Sequence, residues 1–152
     1  IINVSSMSGR LAVPGLGTYA ASKFALEGLS EALRHELRSF GVRVALVEPG
    51  PYATDIFDRN RRVCRAAERG GGPYEALQQR IEAFMQRRFS KNLGDPQEVA
   101  ALIVRIVEDP RPRLRYPLGP GASPRLWMRK LLPFHLEEQV LDRLIGLPRR
   151  GA

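Results

Sequence analysis

A chain of 152 residues, 43% hydrophobic and 26% charged, suffices for one domain with a real core. It holds no apolar window of about eighteen residues, which excludes a membrane-spanning helix, and a single cysteine, Cys64, which excludes an internal disulfide and a paired-cysteine metal or redox site. The net charge of +8 is almost all arginine, clustered at 59–65, 111–115, 125–130 and 149–150, and the lysines are only Lys23, Lys91 and Lys130; without a nucleic-acid motif or a stacking-aromatic series this reads as a solvated surface, and no nucleic-acid partner is expected.

Residues 1–6 form a short apolar run ending in small polar side chains, the pattern of a buried parallel strand. Residues 7–17, with Gly9, Pro14, Gly15 and Gly17, read as loop. A helix is predicted from about 18 to 40. Its apolar stripe is Leu26, Leu29, Leu33 and Leu37, with Glu27, Glu31, Arg34 and Arg38 mostly elsewhere, and Gly41 is a natural stop. Residues 42–48 are β-branched and apolar, a second buried strand. Strand, helix and strand at this spacing make a βαβ unit with parallel strands and a right-handed crossover. Both strands then end at one edge of the sheet, and the helix begins there. Ser6, Tyr19 with Lys23, and Pro49-Gly50 converge on that carboxyl edge, where open α/β sheets bind ligands.

Further on, residues 52–67 are polar and arginine-rich, and 70–73 form a glycine break. An amphipathic helix is predicted over 74–89 through Leu77, Ile81, Phe84 and Met85. Asp95-Pro96-Gln97-Glu98 signals another helix start: an acid at the cap, proline at the first helical position, and Glu98 three residues after the cap. That helix runs through Val99, Leu102, Ile103 and Ile106 to Asp109-Pro110. Residues 113–118 alternate as a third strand. A C-terminal helical region begins near 123, breaks at Pro133 and resumes to about 145.

The chemistry lies in Ser6, Tyr19 and Lys23. Tyr19 and Lys23 stand at i and i+4, on one helix face. A free phenol has a pKa near 10 and is a poor base at neutral pH. A fixed ammonium beside it favours the phenolate, each tenfold gain in ionisation being worth about 1.4 kcal/mol. Such a tyrosine can take a proton from an alcohol or give one to a ketone, while a serine hydroxyl at the sheet edge holds the substrate oxygen. Hydride transfer would fall to a nicotinamide. A bare Tyr-x-x-x-Lys recurs by chance, with the tyrosine capping a core and the lysine a surface charge. Here a longer string surrounds it.

Asn3-Val-Ser-Ser6, Gly9, Pro14, Tyr19-Ala-Ala-Ser-Lys23-Phe-Ala25, Gly28, Leu33-Arg-His-Glu-Leu37, Gly41-Val-Arg-Val44 and Pro49-Gly50 closely resemble the short-chain dehydrogenase/reductase family. The resemblance is dense to about residue 57; Asp95-Pro-x-x-Val99 and Tyr116-Pro-Leu-Gly119 are similar to the family's later helix and last strand. It implies an α/β, Rossmann-like doubly wound parallel sheet and an NAD(P)-dependent enzyme interconverting an alcohol and a ketone or aldehyde. Tyr19 matches the family's acid/base, Lys23 the lysine that also hydrogen-bonds the nicotinamide ribose, and Ser6 the substrate-orienting serine, with Ser5 and Ser8 close by. Pro49-Gly50 and Thr54 match the loop at the nicotinamide end of the cofactor, and Tyr52 stands there where the family usually has an aliphatic residue. The family's glycine-rich phosphate loop, its upstream active-site asparagine and the residues that choose between NAD and NADP have no counterpart in the 152 residues.

With Ile1 inside a core strand, the chain reads as the C-terminal part of a single domain, 1–152, in which 52–92 is the substrate loop and 123–147 a C-terminal helical region. Ile56, Phe57, Leu77, Ile81, Phe84 and the Glu48-Pro-Gly-Pro51 variant are similar to steroid- and retinoid-handling members, so a bulky hydrophobic substrate is expected. A homo-oligomer is expected of the full-length protein, and one cysteine suits a cytoplasmic setting. His35 and His135 are far apart with no ligand cluster near either, so no metal is expected. The Leu126-Trp127…Leu131-Leu132 stretch reads as a lid or subunit contact, with a peripheral membrane contact as its other reading. The competing expectation for the whole is an inactive, truncated member or a binding module on the same scaffold. The 152 residues alone are expected to bind no nicotinamide cofactor.

Overall fold

A computed structural model of the chain describes residues 1–57, 59, 65, 71–89, 93–120, 122, 126, 129 and 131–147. Three strands, β1 (Ile2–Val4), β2 (Ala45–Pro49) and β3 (Arg115–Leu118), form one sheet in the order β1-β2-β3. Both pairings are parallel, with Asn3 opposite Leu46 and Leu46 opposite Arg115. The helices with described bounds are α1 (Gly17–Glu36), α2 (Glu75–Phe89), α3 (Pro96–Glu108) and α4 (Phe134–Ile145). Pro117, which has no N–H to offer a ladder, lies in β3, the last strand of this order. The architecture is the α/β parallel arrangement expected from the βαβ pattern.

The two faces of the sheet differ in chemistry. On one, Ala45 and Val47 pack with Leu102 and Ile106 of α3, joined by Ile2, Val99, Ile103, Tyr116 and Leu118. Because strand side chains alternate, Asn3, Leu46, Glu48 and Arg115 point the other way, toward α1. There the contacts are polar. Asn3 Nδ2 donates to Ser30 Oγ at 2.8 Å, and Arg34 donates to the main-chain oxygens of Val44 and Pro112.

That extends the stripe expected for α1, of which Leu26, Leu33 and Leu37 are half-buried. Its buried residues are Ala20, Glu27 and Ser30, whereas Leu29 is 56% exposed. Ala20, Lys23, Glu27, Ser30 and Arg34 recur at three- and four-residue steps, so they share one face as surely as the leucines do. The strands supply hydrogen-bond partners to that face, which removes the usual penalty for burying polar groups.

Helix ends follow the sequence signals closely, with one exception. Asp95 caps α3, its carboxylate accepting from Gln97 N at 2.9 Å, and Gly41 takes a left-handed conformation after the 3₁₀ turn Arg38–Phe40. Glu98 does not turn back on the cap; its carboxylate accepts from the Tyr52 hydroxyl at 3.1 Å. No helix among the described residues is long and apolar enough to cross a membrane, and no group of three or more metal-ligating side chains occurs among them. Cys64, Trp127, Lys91, Lys130 and the 149–150 arginine pair lie outside the described residues.

Candidate active site

β1 stops at Val4 and the chain turns into a 3₁₀ turn, Met7–Gly9, with Ser6 at its cap. Ser6 is buried at 9% exposure, and its Oγ accepts from Ser8 N at 3.1 Å. Among the described residues no acceptor takes the Ser6 hydroxyl proton. Ser5, by contrast, is held in the sheet through its N–H to Val47 O at 2.8 Å, and its Oγ is buried with no partner among the described residues.

The turn is pressed against α1. A Cβ on Gly9 would stand 2.8 Å from Ser5 Oγ, 2.9 Å from Glu27 Cγ and 3.0 Å from the main-chain oxygen of Lys23. Only a residue without a side chain lets the Ser6 turn come this close to the helix. Lys23 completes the junction. Its Nζ donates to Val4 O at 2.9 Å, at the end of β1, and sits 5.8 Å from the centroid of the half-buried Tyr19 ring, within cation–π range. The serine turn, the phenol and the ammonium are thus brought to one edge of the sheet, and the strand end, not an acid, anchors the ammonium.

β2 delivers Pro49-Gly50 to the same edge. Gly50 N donates to Leu118 O at 2.8 Å, tying the turn to β3. Thr54 follows with an exposed side chain. Tyr52 is different: it is 6% exposed, and its ring passes so close to Gly94 and Gly119 that a Cβ on either would overlap it. Main-chain bonds from Gly94 N to Pro51 O and from Ala53 N to Gly94 O, both 3.1 Å, fix the segment. Burial first, then the bond to Glu98 and its charge, pushes the Tyr52 hydroxyl up to about 12. Tyr52 is a post holding the loop to α3; its ring is committed there, and only its main chain is left for a ligand.

Two further segments close on the edge. Ile81 of α2 sits directly over Gly15 in the loop before Tyr19, and Arg80 Nη1 donates to Gly146 O at 2.8 Å, joining α2 to the end of α4. Met7, next to Ser6, is buried with Ala122 and Leu126. Leu126 therefore packs inward, while Leu131 is 76% exposed. Phe84 of α2 is buried, Ile56 is 43% exposed, and the side chain of Phe57 lies outside what is described.

Behind the edge stand charges that hydrophobic patterning passed over. Glu48 is fully buried on β2 and Glu27 is 5% exposed on α1. Burial, then the neighbouring Glu27, holds the Glu48 carboxyl above its usual range, and Arg10 pulls the other way. The available signal was a carboxylate closing an otherwise apolar strand.

The comparisons with known proteins agree with one another. Residues 1–64 match the profile of the short chain dehydrogenase family. An uncharacterized oxidoreductase of Bacillus subtilis, YusZ, is 40% identical over 144 residues, which is 94% of this chain and 51% of that protein. The 3-ketodihydrosphingosine reductase of Bacteroides thetaiotaomicron is 34% identical over 120 residues, 79% of this chain and 44% of that protein. Among solved structures, a short-chain dehydrogenase/reductase from Burkholderia phymatum in complex with NAD aligns with a TM-score of 0.65 at 27% identity, over 91% of this chain and 48% of that one. The chain spans about half the length of the relatives it matches.

Proposed function

We propose that the chain, whose residues 1–64 match the short chain dehydrogenase profile, belongs to the short-chain dehydrogenase/reductase family, and that in the full-length protein Ser6, Tyr19 and Lys23 carry the proton side of an NAD(P)-dependent exchange between an alcohol and its ketone or aldehyde. The observation that carries this reading is the double engagement of Lys23, whose ammonium spans Val4 O and the Tyr19 ring at the strand end where the Ser6 turn begins. Tyr19 Oη takes the proton from the alcohol, or returns it to the carbonyl oxygen in the reverse direction. The Ser6 O–H donates to that same oxygen as negative charge builds there. Lys23 stabilises charge developing on the phenolic oxygen. Having given one of its three donors to Val4 O, it keeps two for a ligand's hydroxyls.

The donor set suits the nicotinamide end of a dinucleotide: two free ammonium hydrogens on Lys23, an exposed Thr54 hydroxyl, and the Pro49-Gly50 main chain at the carboxyl edge. When bound, NAD or NADP supplies or takes up the hydride. Tyr52 would contribute main chain only.

The proposed substrate is bulky and hydrophobic, lipid-like in character. What supports this is Ile56, partly exposed two residues after Thr54, Ile81 packed over Gly15, and one relative named 3-ketodihydrosphingosine reductase. Within a single domain, residues 52–92 would form the substrate loop and 123–147 the C-terminal flank. A cytoplasmic homo-oligomer belongs to the same proposal; α1 leaves Phe24 and Leu29 at 42% and 56% exposure, surface of the kind that protein contacts cover.

The test is Tyr19→Phe in the full-length protein, which keeps the ring and removes the transferable proton. Turnover should fall by about 10²- to 10⁴-fold while NAD(P) binding by fluorescence titration stays as in the wild type. Near-normal turnover rejects the assignment.

A further inference from the structure

Two arginines and three carboxylates form a linked cluster on the α1 face of the sheet. Arg10 Nη1 reaches both oxygens of Glu48, at 3.2 and 3.4 Å, and Arg115 Nε lies 3.4 Å from Glu48 Oε1. Arg115 Nε also donates to Glu27 Oε2 at 3.0 Å, and its Nη2 to Glu31 Oε2 at 3.0 Å. Glu27 Oε1 is buried with no partner among the described residues. The charged groups facing Glu48 are therefore Arg10 from the turn after β1, Glu27 from α1 with Glu31 beyond it, and Arg115 from β3; α3 meets the sheet through apolar side chains on the opposite face.

Such a cluster is a poor device for stability, since apolar side chains of the same volume do as well or better. What it supplies instead is direction, because each N–H···O line fixes two segments relative to one another. The membership is informative here. Arg10 follows the turn capped by Ser6. Glu27 lies one helical turn beyond Lys23. Glu48 immediately precedes Pro49-Gly50. The Ser6 turn, the Lys23 helix and the strand leading to Pro49-Gly50 each contribute charge to the cluster.

We propose that the Arg10–Glu48–Arg115–Glu27 cluster holds the Ser6 turn, the Lys23 helix and the Pro49-Gly50 turn in register, which makes Arg10 and Glu48 positioning residues for the reaction. This rests on the dehydrogenase reading. It carries a consequence for pH. Glu48 already leans toward its protonated form through burial, with Arg10 opposing. Without Arg10 the ionised carboxylate is left short of positive charge, so damage from losing Arg10 is smallest at low pH and grows as Glu48 ionises. With glutamine at position 48 the contribution of Glu48 to that pH dependence is removed.

The experiment measures kcat and KM from pH 5.5 to 9 for full-length wild type, Arg10→Met, Glu48→Gln and the double variant. Expected for Arg10→Met is a kcat loss of about tenfold or more at pH 8, with KM within about twofold and a deficit that shrinks toward pH 5.5. The ratio of the double variant to Glu48→Gln should vary less with pH than the ratio of Arg10→Met to wild type. Glu48→Gln is the variant that keeps the shape of an already proton-seeking side chain. It should fold, and it should lose about fivefold or more in kcat, since an amide offers Arg10 one acceptor oxygen in place of two. Wild-type kcat in Glu48→Gln overturns the proposal, as does an Arg10→Met deficit that is equal at every pH and unaffected by the second substitution. Absence of turnover in the wild type ends the dehydrogenase reading and this one together; a turning-over wild type matched by its variants ends only this one.

Discussion

Gly9→Ala adds one methyl group where the Ser6 turn meets α1. Gly9 is not among the left-handed glycines, so its backbone suits alanine and the whole effect is steric. The new Cβ would stand 2.8 Å from Ser5 Oγ, 2.9 Å from Glu27 Cγ and 3.0 Å from Lys23 O. Ser5 and Glu27 are 3% and 5% exposed, and the third neighbour is helix backbone, so none can swing aside. The turn must back away by several tenths of an ångström. Overpacking of this kind costs about 1–3 kcal/mol, and the reduced freedom of the unfolded chain returns about 0.4–1 kcal/mol. The net expectation is a loss of roughly 1–2 kcal/mol, read as a lower urea midpoint at unchanged slope. Activity should suffer more than stability, because the displaced group is Ser6. A shift approaching 1 Å at a positioned group costs about a hundredfold, so a fall in kcat/KM of about ten- to a hundredfold is expected. Gly28→Ala is the internal control: it lies within α1 with nothing inside 4 Å of a Cβ, and should stabilise by about 0.5–1 kcal/mol. If Gly9→Ala tracks Gly28→Ala in both assays, the close packing of turn on helix is wrong.

Tyr52 gives a prediction in the alkaline range. Its hydroxyl is held at about 12 against the 10.0 of an ordinary tyrosine, so the folded state favours the protonated phenol; the stability this lends is complete below pH 10 and is lost as pH rises through 12. The difference corresponds to at most about 3 kcal/mol. Tyr52→Phe should be less stable at pH 8 by about 1 kcal/mol through the lost bond to Glu98, yet lose less between about pH 8 and 11.5 in urea titrations. Parallel pH slopes for the two proteins would refute the burial of that hydroxyl. For the substrate, kcat/KM of the full-length protein measured over ketones from short-chain to steroid- or sphingoid-sized should rise with size, each buried methylene adding about 0.8 kcal/mol. A flat series, or one favouring polar sugars, removes the lipid-like substrate.

How far such a site can be read from sequence depends on the range of the interactions that make it. The placement of Tyr19, Lys23 and Ser6 at one sheet edge was legible because helical spacing and βαβ handedness are local rules, and those rules bring a strand end and the first turn of the next helix together there. Asp95-Pro96 was legible for the same reason, since a cap is made within three residues. Glu98 was not: its partner, Tyr52, is 46 positions away, and nothing between them announces the contact. The α1 stripe was incomplete in an instructive way: Leu26, Leu33 and Leu37 are half-buried, but the fully buried positions lie on the neighbouring polar set. Leu26, Leu29, Leu33 and Leu37 and the set Ala20, Lys23, Glu27, Ser30 and Arg34 have equally good helical spacing, and hydrophobicity chooses the first. The sheet chose the second, because Asn3, Arg115 and two main-chain oxygens were waiting on the facing strands.

The same lesson applies to the charge of +8. Counted along the chain, the arginines look like surface. Arg10, Arg34 and Arg115 instead turn inward, to Glu48, to the oxygens of Val44 and Pro112, and to Glu27 and Glu31. Each joins segments at least ten residues apart, and Arg115 reaches 84 to 88 positions back to α1. A guanidinium offers five donors in a fixed plane, which suits it to bridging several carboxylates and carbonyls where a lysine ammonium would act as a point charge. The contrast with Lys23 follows from the same chemistry. At the catalytic edge the proposed task needs a compact cation with donors to spare for a ligand, while behind it the task is to lock strands and helix in place. Arginine at positions 10, 34 and 115 and lysine at position 23 suit that division of labour.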